Sequence, residues 1–583
     1  MKNKYILGGI AMTMMTLPFV SCSSSYLDEA PLTSLSAETV QNSEEGAMAA
    51  ATGLARAMQR QFSDLKNGNV NFSGETLVNH LYGDALGPDD NVGEVTYYMT
   101  SGLKPQNFRM TGNGWWEIWM YSYCYYIINI ANSIITNIED NGGVNESNNT
   151  QMWIYATALT YRAHAYTQLM RVHAPRWVDS QNGEKYCIVL RTRSGEPNDK
   201  PFATCNEVYD QIYKDLNNAI TYFEKAQIGN EPMSRGSQLY FVNEDVARGI
   251  YARCAMLKND YKTAQTMAHN ARKDYKIMTA QDYLKGFSVT NSEWMWAPAM
   301  DYLGIYYWNF GTHYACNGHY VISWGYSDSM QYDLYKNFKA SDVRSQLYFG
   351  PLCIQHEPGM AEKYGITEED FYDPSVYQAT NYGVSITGSG AKPSGKKLDM
   401  WNFLKEYGTR FYPIRPADIK GIYLTNTKGL SFGIQYKFQG LDDGYTSCWP
   451  PYMRAAEMLL TEAEAAYMNG DNSTAVSCIN ELMAQRDPEY SIPATSGDGL
   501  FEEIKLQRRL EMFGEGTNWY DYKRWNLPFS FKGLDNNDFE NQGSYPTALV
   551  QTFEPTFMMG WRAGIPQREF NYNKAANPAD VDM

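Results

Sequence analysis

The stretch 462–476, EAEAAYMNGDNSTAV, repeats the small-residue spacing of 251–265, YARCAMLKNDYKTAQ. Ala252, Ala255, Asp260 and Ala264 stand at the same offsets as Ala463, Ala466, Asp471 and Ala475. Each segment reads as a helix with small residues on one face, a tight polar turn at Asn259-Asp260 or Gly470-Asp471, and a second helix opening with Ala. Small side chains let two antiparallel helices approach closely, so both segments predict a helical hairpin.

Working outward, helical spacing of apolar residues recurs over Ser36 to Gln61, Trp115 to Ile138, Met152 to Val172, Cys205 to Ala226 and Asp245 to Lys258, with breaks such as Asn141-Gly142-Gly143. Helices resume at Tyr452 and run to about Phe513. The repeats are degenerate and interrupted, so the expectation is tetratricopeptide-like helical pairs and not a regular solenoid. Between about Gly286 and Pro450 the composition turns to Gly, Tyr, Trp, Asn and Pro. Glu293 to Trp296 and Ser431 to Phe438 read as short strands there, with Trp294 and Trp296 on one inward face. The predicted class is mainly α: a helical hairpin scaffold over about 36–285 and 451–525 with a long loop-rich, short-strand insertion over 286–450. Loops of that length tend to carry function.

The N-terminus reads as an address. Lys2 and Lys4 form a basic start, Ile6 to Phe19 is mostly apolar, and Cys22 follows directly, with Ser23-Ser24-Ser25 as a polar spacer. The apolar run is shorter than the roughly 20 residues a spanning helix needs. The pattern resembles a bacterial lipobox, in which residues 1–21 are removed and Cys22 is acylated. Phe19 and Val20 depart from the usual Leu and Ala, Ser or Thr, and the alternative is a plain cleaved signal with an incidental cysteine. Either reading takes the chain out of the cytoplasm.

A formal charge of −16 over 583 residues argues against nucleic-acid binding, which relies on clustered Lys and Arg. Tyrosine is as frequent as glycine, at 46 each, and Tyr and Trp suit wet, specific surfaces. Eight cysteines beyond Cys22, never as C-x-x-C, give neither a zinc nor a redox signature. Cys124, Cys254 and Cys478 lie in helical patterns and read as buried thiols. Gly390 to Lys396 approximates a P-loop, but Lys397 replaces the Ser or Thr that binds the metal, so a glycine loop is expected. No HExxH or G-x-S-x-G occurs, and no catalytic residue, metal or cofactor is assigned. Asp89-Asp90-Asn91 offers calcium-type oxygens without an EF-hand around them and reads as a solvated loop. A lipid-anchored glycoside hydrolase stays open, since two of the 65 acids could be paired by the fold.

The C-terminal helices carry a family pattern. Arg454 and Glu457, Ala463-Glu464-Ala465, Arg508-Arg509, Glu511, Phe513 to Gly516, Asp521 and Arg524-Trp525 resemble the SusD/RagB family of outer-membrane nutrient-binding lipoproteins of the Bacteroidetes. Tyr26 to Pro31, the Trp119 to Asn132 helix and Leu334 to Arg344, with Phe338 and Asp342, match in the same order. Gly514 departs from the pattern locally. The charged residues of these helices read as scaffold pairs between hairpins, not as a catalytic couple.

The resemblance implies a single SusD-like domain over 22–583. It implies a surface protein that binds oligosaccharide or polysaccharide without cleaving it and passes it to a TonB-dependent, SusC-like transporter. A peptide-binding homologue is the alternative of the same type. Two segments combine aromatic platforms with amide and charged groups suited to sugars. Gly83 to Arg109 holds Asp89, Asn91, Tyr97, Tyr98 and Arg109. Trp294 to Tyr326 holds Tyr306, Tyr307, Trp308, His313, Tyr314, Tyr320 and Trp324.

Overall fold

The computed structural model describes residues 43–59, 61–63, 70–91, 115–226, 238–287, 289–298, 310–316, 329–373, 376, 394–411, 433–440, 448, 450–532, 550–554 and 561–581. The long helices are α1 (Glu44–Gln59), α2 (Trp115–Asp140), α3 (Asn149–His173), α4 (Cys205–Ala226), α5 (Glu244–Leu257), α6 (Tyr261–Arg272), α7 (Lys396–Gly408), α8 (Ala455–Met468), α9 (Asn472–Met483), α10 (Gly497–Glu511) and α11 (Asn518–Trp525).

The spine is α3, buried from Gln151 to His173. Alanines at 156, 158, 163 and 165 bring neighbouring backbones close, and α1, α2, α4 and α5 all pack against it. A deeply placed charge on it is matched: Arg162 forks onto Asp215 of α4 with both bonds at 2.7 Å. Such bidentate pairing satisfies a guanidinium inside a core.

The hairpins then continue as a row in which α4 packs on α5, α5 on α6, α6 on α8 and α8 on α9. Because α6 meets α8 directly, residues 273–454 are looped out of the row. The two segments matched by spacing are the same device at atomic level. Asn259 and Gly470 take the left-handed conformation at φ 57° and 80°. The amides of Asp260 and Asp471 donate to the carbonyls of Ala255 and Ala466 at 2.9 and 2.8 Å. Their carboxylates then cap the following helix by accepting from Thr263 and Thr474 amides at 3.2 and 3.1 Å. The hairpins are joined by ion pairs from Arg253 to Glu457 and Arg272 to Glu462.

Short two-stranded ladders hold the insertion. Four strands matter here: β1 (Asp90–Asn91), β2 (Trp294–Trp296), β3 (Ser329–Met330) and β4 (Met453–Arg454). β2 pairs with β4 and closes the base of the insertion. Trp294 and Trp296 are buried as expected, Trp296 with its ring edge-on to Tyr161, His164 and Tyr452 at 5.0 to 5.8 Å.

Two expectations change. Residues 433–438 form no strand; Ile434 bridges Ser329 while Gln435 bridges Tyr348, so consecutive residues serve different partners and no ladder develops. The insertion also contains more helix than its composition suggests. α7 buries Met400, Trp401, Phe403, Leu404 and Tyr407, a helical face hidden in the sequence by the Gly and Lys residues before it. That helix opens at Lys396, whose ammonium pairs with Asp370 at 3.1 Å. The eight described cysteines are all buried thiols. No helix among the described residues is long and apolar enough to cross a membrane.

Candidate functional site

The charged motif of the C-terminal helices lies inside the protein. Arg454 reaches Glu293, Glu511 and Glu515 at 2.7, 2.9 and 2.7 Å. Arg486 adds a bond to Glu511 at 2.9 Å, and Arg344 joins Asp342 at 2.7 Å and Glu511 at 3.3 Å. Lys437 donates to Glu515 at 2.6 Å and to the carbonyls of Glu511 and Phe513. Four cations (Arg344, Lys437, Arg454, Arg486) thus face four carboxylates (Glu293, Asp342, Glu511, Glu515). Burial pushes the Glu511 carboxyl up, but Arg486 and Arg454 outweigh it and hold it well below the usual range. Burial draws the Lys437 ammonium down.

This network joins the insertion to α8 and α10. The cavity beside it, lined by Arg253, Tyr452, Glu457 and Glu515, holds about 20 Å³, room for a water and not a sugar. The same scaffold use holds for the rest of the motif: Glu457 takes Arg253, Arg508 takes Asp521, Arg509 takes Asp89, and Arg524 takes Glu464. The pairs run between distant segments more than along one helix. Gly514, the local departure, has φ +73°, and a Cβ there would stand 2.4 Å from the Phe438 ring.

Of the residues read as sugar contacts, the structure places two inside. Asp89 is 3% exposed, not solvated; Arg509 forks onto both its oxygens at 2.8 and 2.5 Å, and Asn518 donates to it as well. Tyr314 is 1% exposed, with its ring 4.1 Å from that of His80 and 5.5 Å from Phe310. Both correct the expectation of an open contact, since their polar or flat surfaces are already used. The backbone of Asn91 lies in β1, and His313 lies in the short helix Phe310–Tyr314; their side chains fall outside the described residues. So do Tyr97, Tyr98, Arg109, Tyr306, Tyr307, Trp308, Tyr320 and Trp324, and Cys22 with the N-terminal segment.

What the structure brings together is the roots of the two segments. β1 pairs with β3, Asn91 opposite Ser329 and Asp90 opposite Met330. The amide of Gln331 donates to the carbonyl of Asp89 at 2.8 Å, and Met330 donates to Gly433 at 2.9 Å. Residues after Asn91 and residues before Ser329 therefore leave from one ladder. Below it His80 donates or accepts at 3.0 Å from Asp84, whose carboxylate also takes the Gly516 amide at 2.6 Å; Asp90 lies 4.0 Å from the other ring nitrogen. Among the described residues, this triad is the group whose ligand atoms lie close enough for a metal ion. A 3.0 Å histidine–carboxylate spacing is that of a hydrogen bond, and the buried triad fixes the ladder. Sequence reading missed His80; its signal was a histidine four residues before Asp84 in one helical turn.

A sequence profile described as the SusD family matches residues 256–577. The chain belongs to the SusD family. A second profile, described as starch-binding and associating with the outer membrane, matches residues 106–238. This SusD family member shares its fold with solved structures at low identity. A SusD superfamily protein from Bacteroides thetaiotaomicron has a TM-score of 0.63 at 17% identity, over 92% of this chain and 99% of that one. A SusD-like carbohydrate binding protein from Bacteroides vulgatus gives 0.60 at 19%, over 92% and 98%. One of the same description from Bacteroides fragilis gives 0.59 at 15%, over 92% and 100%. No curated protein sequence matches the chain.

Proposed function

We propose that this SusD family member is a surface lipoprotein, anchored to the outer membrane through Cys22, that captures an oligosaccharide or polysaccharide without cleaving it. It passes the glycan to a partner TonB-dependent transporter of the SusC type. The observation that carries the reading is the β1–β3 ladder, which roots both aromatic segments side by side. Sugars present apolar C–H faces ringed by hydroxyls, and aromatic residues gathered from two loops beside amides meet both needs. The starch-binding and outer-membrane description of the second matching profile points the same way. The scaffold behind the ladder is tied by buried ion pairs, which suits a receptor that must hold a binding geometry.

The reading assigns Trp308 and Trp324 as platforms. Alanine at either position weakens polysaccharide binding measured by calorimetry and leaves the melting temperature nearly unchanged. A large fall in melting temperature with either variant would move the residue to the core and overturn the assignment.

A further inference from the structure

A second concave surface lies away from the ladder, between α2, residues 191–198 and the short helix Gln567–Tyr572. Its volume is about 630 Å³, within the roughly 300–1,000 Å³ of small-molecule sites. On the α2 side, Tyr121 and Tyr125 lie with ring centroids 4.6 Å apart. The Tyr125 hydroxyl donates to the carbonyl of Val189, and Tyr121 donates to Tyr125 at 3.5 Å. The two rings are thus fixed before any ligand arrives, which lowers the ordering cost of binding. On the opposite side Tyr572 is 74% exposed, the most exposed of the large apolar side chains described. A ring so placed contributes nothing to the core, and it faces a groove whose other wall is also tyrosine.

The charges of the groove are unequal in their employment. Arg191 donates to the carbonyls of Pro197 and Asn198 at 2.9 and 2.7 Å, with Glu569 at 3.9 Å. Arg193 is held by Glu139 and Asp140, and Glu196 takes Lys200 at 2.6 Å. Arg568 forms no ion pair among the described residues. It stands four residues before Tyr572, on the same helical face. Asn129, exposed on α2, supplies an amide that suits hydroxyls. In a chain of net charge −16, an unmatched guanidinium beside an exposed ring selects for an anion with flat apolar faces.

We propose that this groove is a second saccharide site, specific for oligosaccharides that carry carboxylates, with Tyr572 as the stacking platform and Arg568 as the carboxylate clamp. The choice of a saccharide rests on the reading of the chain as a glycan receptor; the choice of an acidic one rests on Arg568. Guanidinium and carboxylate match as paired donors and acceptors, a fit that a neutral sugar does not supply.

Calorimetry with trigalacturonate, and with its uncharged methyl ester, tests this on the chain from Ser23 onward. Trigalacturonate is expected to bind more tightly than the ester. Arg568→Gln should weaken the acid by about ten-fold and leave the ester unchanged. Tyr572→Ala should weaken both by a similar factor. Tyr572 is exposed and Arg568 is half-buried without an ion pair among the described residues, so circular dichroism melting should hardly move. Trp308→Ala and Trp324→Ala should leave trigalacturonate binding intact. Absent binding of trigalacturonate, equal binding by Arg568→Gln, or loss of binding in the loop variants would each overturn the proposal. Trigalacturonate binding that depends on Arg568, in a chain that binds no neutral polysaccharide, would keep this site while refuting the loop site.

Discussion

Replacing Glu511 with Gln removes the one carboxylate shared by three arginines. Glu511 is fully buried and accepts from Arg486 at 3.0 and 2.9 Å, from Arg454 at 2.9 Å and from Arg344 at 3.3 Å. The amide keeps the shape but turns one oxygen into a donor facing donors, and it leaves a surplus positive charge beside Glu293, Asp342 and Glu515. Breaking one member of a buried, hydrogen-bonded ion network costs about 3–5 kcal/mol, against a total stability of roughly 5–15 kcal/mol. Urea unfolding followed by tryptophan fluorescence at pH 7 reads the loss directly. The pH dependence gives a second reading. The folded carboxyl titrates below its unfolded value, so its contribution is fully present above the unfolded value near 4.5 and is withdrawn as pH falls toward and through the folded one. Glu511→Gln should therefore flatten the acid limb of the stability curve. A loss under about 1 kcal/mol, the size of an exposed pair, would refute the network's role in holding the insertion to α8 and α10.

Asp260→Ala and Asp471→Ala each remove an N-cap of the same geometry, and each should cost about 1 kcal/mol in urea unfolding; a cost in one hairpin and none in the other would break the equivalence of the two units. Burial and the nearby Lys523 hold His173 down at about 4. Its folded value thus lies below the unfolded value near 6.5, and between those limits the unfolded chain binds a proton that the folded chain does not. Stability should fall as pH drops from 6.5 to 4, by about 3 kcal/mol in all from this group, and His173→Gln should remove that slope. An imidazole that titrates near 6.5 by NMR in the folded protein would contradict it.

The hairpins were legible because their information is local. Asn259-Asp260 and Gly470-Asp471 carry turn, cap and helix start within a few residues, so spacing alone located both units. The roles of Arg454, Arg508 and Glu511 were legible as scaffold but not their partners, since Glu293 and Arg344 arrive from segments over a hundred residues away and no periodicity encodes that. α7 was hidden because Gly395 and the lysines around it resemble a loop, while its aromatic face has meaning only against Phe349 and Tyr436. Asp89 shows the opposite error. Beside Asp90 and Asn91 it resembles a solvated acidic turn, and only the fold brings Arg509 to cover it. The groove at Tyr572 was not legible because its walls come from three distant segments, and the aromatic run of α2 reads as a core-facing helix until the fold sets Tyr121 and Tyr125 opposite Tyr572. The two segments proposed to contact sugar stand out by composition, whereas the β1–β3 ladder from which both leave required the fold.

Calorimetry of the chain from Ser23 onward against a panel of polysaccharides, with analysis of the products, addresses the central claim most directly. The account predicts saturable binding to a glycan whose chain length is unchanged after incubation, reduced by Trp308→Ala and Trp324→Ala. Released oligosaccharides, or no binding across a broad panel, would contradict it.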